Sequence, residues 1–275
     1  MAKLSIAVLN CQGGTMCQAE GNDEIWVVHQ GVYEPGDKIV FTTDEVPAYY
    51  MIRVDGAMDE AYVYLTQNQV EYVIPFEQDN PFKIDKISYS LGTFVGERHY
   101  ITMRKAGDQE NENYRNLAKN VMDQRDSAGC YPHVHANAET QGQIAALFAA
   151  RNVIDGVLAN THHWPWPFQS WGIDKREDAE ITVEFGRPIN MEKLRLTTRA
   201  DFPHDSWWVQ GTVTFSDGTS EVIKLDKRIE PQSFNIKRNG ITWLKVGHLV
   251  KADDPSLFPA LKQIEVFGRN SQNNL

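Results

Sequence analysis

Between residues 25 and 104 the chain runs through short blocks of Val, Ile, Tyr and Phe, with polar residues alternating inside them. Successive side chains of a strand face opposite sides of a sheet, so the alternation predicts strands over 25–30, 38–43, 49–54, 61–66, 70–76 and 99–104. Turn residues such as Glu34-Pro35-Gly36-Asp37 and Asp55-Gly56 lie between them. The spacing is close to the roughly 8–12 residues of a sandwich or barrel, and no 3.6-residue apolar period is sustained. The next stretch, KAGDQENENYRN (105–116), has one aromatic and no aliphatic residue larger than Ala, and predicts a linker. Strands resume over 179–185, 194–199, 212–215, 221–225, 241–246 and 263–267. Asp217-Gly218 predicts a type I′ hairpin turn, and GQIAALFAA (142–150) a single short helix. The expected fold is all-β, with β-sandwich domains at 1–104 and 117–269 and a frayed tail at 270–275.

Composition narrows the partners. Lys plus Arg total 27 against 37 Asp plus Glu, a formal net charge of −10 in 275 residues. A nucleic acid or an anionic membrane needs a cationic face, so neither is expected. No apolar run approaches the ~20 residues that span a bilayer. The six-residue run 4–9 falls short of a secretory leader, and three cysteines (Cys11, Cys17, Cys130) imply no disulfide framework. The expectation is a cytoplasmic, reduced protein, with room for an oligomer.

The candidate chemistry is concentrated. Six of the seven tryptophans follow residue 160, and five of the eight histidines fall in YPHVHANAE (131–139), HHWPWPFQSWG (162–172) and RADFPHDSWW (199–208). Each window lies between predicted strands, and a sandwich gathers its loops at two ends. A pyranose offers a C–H patch that packs on an aromatic face and hydroxyls that bond to Arg, Asp, Asn and His. The expected ligand residues are therefore His133, His135, Trp164, Trp166, Trp171, Arg199, Asp201, His204, Asp205, Trp207 and Trp208. By alternation one of Trp207 and Trp208 could equally face the core. No G-x-S-x-G, H-E-x-x-H, phosphate-loop or C-x-x-C motif is present, which leaves His204 with Asp201 or Asp205 as the one acid–base group.

Two resemblances follow from these residues. His133, His135 and Glu139 (H-x-H-x-x-x-E) resemble the first metal motif of cupins, but Ala146 stands where that motif has glycine and no second motif follows. The segments Asn116-Leu117-Ala118, AARNVIDG (149–156), Trp171, EITVEFG (180–186) and QIEVFG (263–268), in that order, resemble the discoidin or coagulation factor 5/8 type C group. The resemblance spans about residues 116–269 and implies a galactose-binding-like jelly roll with ligand loops at one end. It also implies a structural calcium at Asp155, Thr161 and Glu265, although the aromatic insertion between Asn160 and Ser170 departs from the group, and Asp155 could instead make a turn with Gly156.

Three functions are consistent with this pattern. The first is carbohydrate binding through the loop cluster, without catalysis or cofactor beyond the calcium. The second is a sugar lyase or hydrolase using His204 with Asp201 or Asp205. The third is a protein-interaction or dimerisation module with an aromatic face.

Overall fold

The computed structural model describes residues 1–77, 83–85, 88–142, 144–159, 166–200 and 206–271. The first half is a sandwich of two antiparallel sheets. One has the order β2-β1-β4-β7, from β1 (Lys3–Leu9), β2 (Thr15–Asn22), β4 (Lys38–Thr43) and β7 (Gln69–Val73). The other contains β3 (Glu24–Gln30), β5 (Ala48–Arg53), β6 (Ala61–Leu65) and β8 (Arg98–Lys105). The predicted alternation is realised in their burial. Ile6, Phe41 and Tyr72 of one sheet share a core with Val27, Tyr50, Ile52 and Met103 of the other. In β3, Ile25 and Val27 point inward and Trp26 points out, 61% exposed. β1 and β2 were not among the predicted strands; β1 carries the apolar run at the start of the chain, and β2 is an edge strand with no buried residue.

The second half is built on one nine-stranded sheet folded over its own core. Its main path is β12 (Trp171–Gly172), β18 (Ala260–Asn270), β13 (Ile181–Thr198), β17 (Arg238–Lys251), β14 (Trp208–Phe215) and β15 (Ser220–Lys224). β11 (His133–Ala136) and β16 (Gln232–Phe234) add to β13, and β9 (Arg115–Asn116) adds to β18. The strands predicted at 179–185 and 194–199 are the two arms of β13. Its register against β17 shifts between Glu184 and Ile189, so a single strand serves both sides of the core.

Three local expectations change. Only Gly218 of the Asp217-Gly218 turn has positive φ (83°). Its N–H donates to Phe215 O (3.0 Å), and Asp217 Oδ1 accepts from the Thr219 N–H (2.8 Å), which makes a type I turn closed by a left-handed glycine. The helix at 142–150 is replaced by two 3₁₀ turns, Ala146–Phe148 and Ala150–Val153, with Ala149 extended between them. The Asn152 amide donates to Ala146 O, Leu147 O and Ser170 O, which claims carbonyls that a helix would use internally. The linker is ordered as α1 (Asp108–Glu112) and β9, and Glu110 is clamped by Arg104 at 2.6 and 2.8 Å.

The two halves also interlock. After β9 the chain returns to the first sandwich: Val121, Met122 and Cys130 belong to its core, and β10 (Cys130–Tyr131) pairs with β6. Tyr49, Tyr62 and Tyr64, on the outer face of β5 and β6, meet two arginines of the second half. Arg115 lies 3.7 Å above the Tyr62 ring, and buried Arg187 lies 5.2 Å from Tyr49 and 5.6 Å from Tyr64. Burial pushes the Tyr62 hydroxyl up to about 12 and lowers both guanidinium values.

Candidate functional site

Among the described residues, the members of the expected cluster are dispersed. Trp171 and Trp208 are 0% and 2% exposed and stack on each other with centroids 6.3 Å apart. The Trp171 indole N–H donates to Ala138 O (2.7 Å), which satisfies its one polar atom inside the core. Both are core residues rather than sugar platforms. Alternation at the start of β14 turns Trp208 inward and leaves Trp207 half-buried, with the Lys227 ammonium 4.5 Å from its ring. Trp164, Thr161, Asp201, His204 and Asp205 lie outside the described residues.

His133 and His135 sit on β11, two apart and therefore on one side, with rings 6.2 Å apart. His133 Nδ1 lies 2.8 Å from Asp123 Oδ1, and the other Asp123 oxygen accepts from the Val134 N–H (3.1 Å). Burial raises the Asp123 carboxyl, and the hydrogen bond to Asp123 raises His133, so the pair holds its proton more tightly than free side chains would. His135 lines a different space, a cavity of about 330 Å³ with Arg125 and Glu139. Glu139 accepts from the Ala150 N–H (2.7 Å) and pairs with Arg125. The cupin-like triplet is thus divided among local bonds, and among the described residues no group of three or more His, Cys, Asp or Glu is arranged to hold a metal.

The His133–Asp123 pair carries a pH signature. Because the native value of His133 is raised above 6.5, its stabilisation is fully present below that pH and is lost as pH rises through the native value. Denaturation midpoints measured from about pH 5.5 to 9 should fall across this window, and His133→Gln should flatten the fall. An identical slope in the variant would assign the dependence to other groups.

Of the residues implied for calcium, the two that are described, Asp155 and Glu265, have their carboxylates engaged by protein partners. Asp155 Oδ1 accepts from the Val157 N–H (2.8 Å) and from Gln263 Nε2 (2.6 Å), and Oδ2 accepts from Gln169 Nε2 (2.8 Å). These bonds close the turn at Gly156, whose φ is 84°. Both Glu265 oxygens pair with Arg195 of β13. A cation is already built in: Lys262, 0% exposed, donates to Pro167 O (3.0 Å) and Gln169 O (2.6 Å). Burial lowers the ammonium to about 8, and the charge of Asp155 opposes that shift.

Arg199 leads to the cavity at the loop end of the second sandwich, beside the end of β12, the residue after β13 and the start of β18. This cavity, about 280 Å³, is lined by Phe148, Phe168, Phe258, Lys175, Asp174 and Arg199 among others. The Arg199 guanidinium lies 3.8 Å above Phe168 and donates to Phe168 O (3.1 Å). Phe148 and Phe168 meet edge to face at 5.9 Å, and the Lys175 ammonium lies 5.1 Å from the exposed Phe258 ring. None of these phenylalanines was in the predicted cluster. The available signal was Leu257-Phe258-Pro259, an apolar run inside the otherwise polar loop 252–259. Trp166 opens onto a third space, between the sandwiches. His135, Arg199 and Trp166 therefore belong to three separate cavities.

No protein-family profile and no curated protein matches the chain. Solved structures similar to it include a fucose-binding module of Streptococcus pneumoniae, at 13% identity over 60% of this chain and 100% of that one, with a TM-score of 0.40. Chitosan-binding module 1 of a chitosanase/glucanase from Paenibacillus sp. IK-5 is similar at 16% identity, over 56% of this chain and 98% of that one, with a TM-score of 0.38. The lectin domain of lectinolysin, complexed with Lewis B antigen, is similar at 15% identity, over 57% and 97%, with a TM-score of 0.41.

Proposed function

We propose that this chain is a carbohydrate-binding protein that takes its ligand at the loop end of the second sandwich. The observation that carries this reading is the cavity of about 280 Å³ that places three phenylalanine rings beside Lys175, Asp174 and Arg199. Aromatic faces accept the C–H patch of a sugar ring, and the flanking ammonium and carboxylate serve its hydroxyls. The buried Arg199 fixes the Phe168 ring from behind, so that wall is held in place before ligand arrives.

Calorimetric titration with fucose, galactose and chitosan oligosaccharides tests the proposal. Phe258→Ala removes an exposed ring without opening the core, and is expected to weaken sugar binding about tenfold with little change in stability. Affinity unchanged by Phe258→Ala and Lys175→Ala would remove the loop end as the site. Release of reducing ends or of unsaturated product, abolished by Asp205→Asn while binding persists, would replace the binding role with a catalytic one.

A further inference from the structure

We propose that the cavity between the two sandwiches is a second ligand site, separate from the loop end, and that it takes a neutral saccharide. The cavity, about 300 Å³, is walled by Met58, Ser88 and Tyr89 from the first half and by Arg151, Trp166 and Gln169 from the second. That volume is at the lower end of the range for small-molecule sites.

Its chemistry is that of hydroxyl recognition on an aromatic floor. Arg151 is held by its Nε donating to Asp123 O (3.0 Å) and its Nη1 to Asn152 Oδ1 (3.1 Å), with the guanidinium 4.4 Å above Tyr89. Two polar atoms on the cavity walls are buried without a partner among the described residues: Ser88 Oγ and Gln169 Oε1, on residues 3% and 0% exposed. A buried hydroxyl or amide oxygen without a partner is costly, and a ligand hydroxyl is one group that could relieve it. Half-buried Trp166 adds an indole face.

The charges select against ions. Arg151 and the Asp155 carboxylate line the same cavity, and Asp59, also on its wall, is paired with Lys119 at 2.7 Å. An anionic sugar would meet Asp155 and an amine would meet Arg151, whereas a neutral ring finds donors, acceptors and a stacking face together. Because the walls come from both sandwiches, occupation would also tie the halves together.

Titration of the whole chain with lactose, cellobiose and di-N-acetylchitobiose tests this, repeated on Trp166→Ala, Trp166→Phe, Ser88→Ala and the loop-end variant Phe258→Ala. The expected result is that at least one disaccharide binds a site weakened about tenfold or more by Trp166→Ala, kept within about threefold by Trp166→Phe, and indifferent to Phe258→Ala. Ser88→Ala, a small truncation that removes only the unpartnered hydroxyl, should weaken the same site in a folded protein. Binding that responds only to Phe258→Ala would overturn the junction site while leaving the loop-end reading standing. Absence of any binding that responds to Trp166→Ala or Ser88→Ala would also overturn it. Tighter binding of cellobiouronic acid than of cellobiose at this site would overturn the neutral class.

Discussion

Lys262→Met is expected to cost about 3 kcal/mol of unfolding free energy, and adding or chelating calcium is expected to leave the wild-type melting temperature where it is. The methionine fills much the same volume but brings no donors. Pro167 O and Gln169 O, which accept from the ammonium at 3.0 and 2.6 Å, lose their partner inside the protein. Asp155 loses the nearby positive charge that most favours its ionised form. Withdrawing one member of a buried charged arrangement leaves the other uncompensated, and this outweighs the desolvation relieved by removing the ammonium. Urea denaturation of the two proteins measures the difference. A loss below about 1 kcal/mol, or a clear rise in melting temperature with calcium, would mean that Lys262 is not the cation that organises this corner.

Trp171→Ala is expected to be still more damaging, at about 4 kcal/mol, because it empties the centre of the second core. It removes the ring stacked on Trp208 and leaves Ala138 O without its donor. Trp207→Ala is the control. That ring is half-buried beneath Lys227, so its removal should cost about 1 kcal/mol or less. Thermal and chemical denaturation separate the two variants. If Trp171→Ala kept its stability and lost only sugar affinity, Trp171 would be a ligand residue and the core assignment would fail. Trp26→Ala, on the exposed outer face of β3, should likewise change stability little.

These contrasts mark how much of the site was legible. A tryptophan in a Trp/His/Pro-rich segment carries the same composition whether it stacks on a ligand or fills a core, and no periodicity in such a segment distinguishes the two. Proline at 165 and 167 marked the neighbourhood of Trp166 as irregular, and Trp166 does reach a cavity. Trp171 and Trp208 each open a strand, and strand geometry turned them inward. The histidine motif gave no sign of Asp123, which lies ten residues upstream and meets His133 only because the chain folds back along β11. The calcium carry-over placed the closing carboxylate at Glu265, yet the side chain that reaches Asp155 is Gln263, two residues earlier on the same strand. Neighbouring Lys262 supplies the charge.

The amino-acid sequence by itself determined the all-β class, the six strands of the first half between β3 and β8, and the turns at Glu34–Asp37 and Ser216–Thr219. These depend on period-two alternation and on residues that set local φ and ψ, which neighbouring positions specify without help from the rest of the molecule. The tertiary structure decided which aromatics are core, that one strand serves both sides of the second core, and that residues 121–131 complete the first sandwich. It also brought Ser88 and Tyr89 against Arg151 and Trp166. Each of these joins residues far apart in the chain, and such pairings are selected by shape, buried area and unsatisfied polar atoms, quantities that exist only once the two sandwiches have closed on each other.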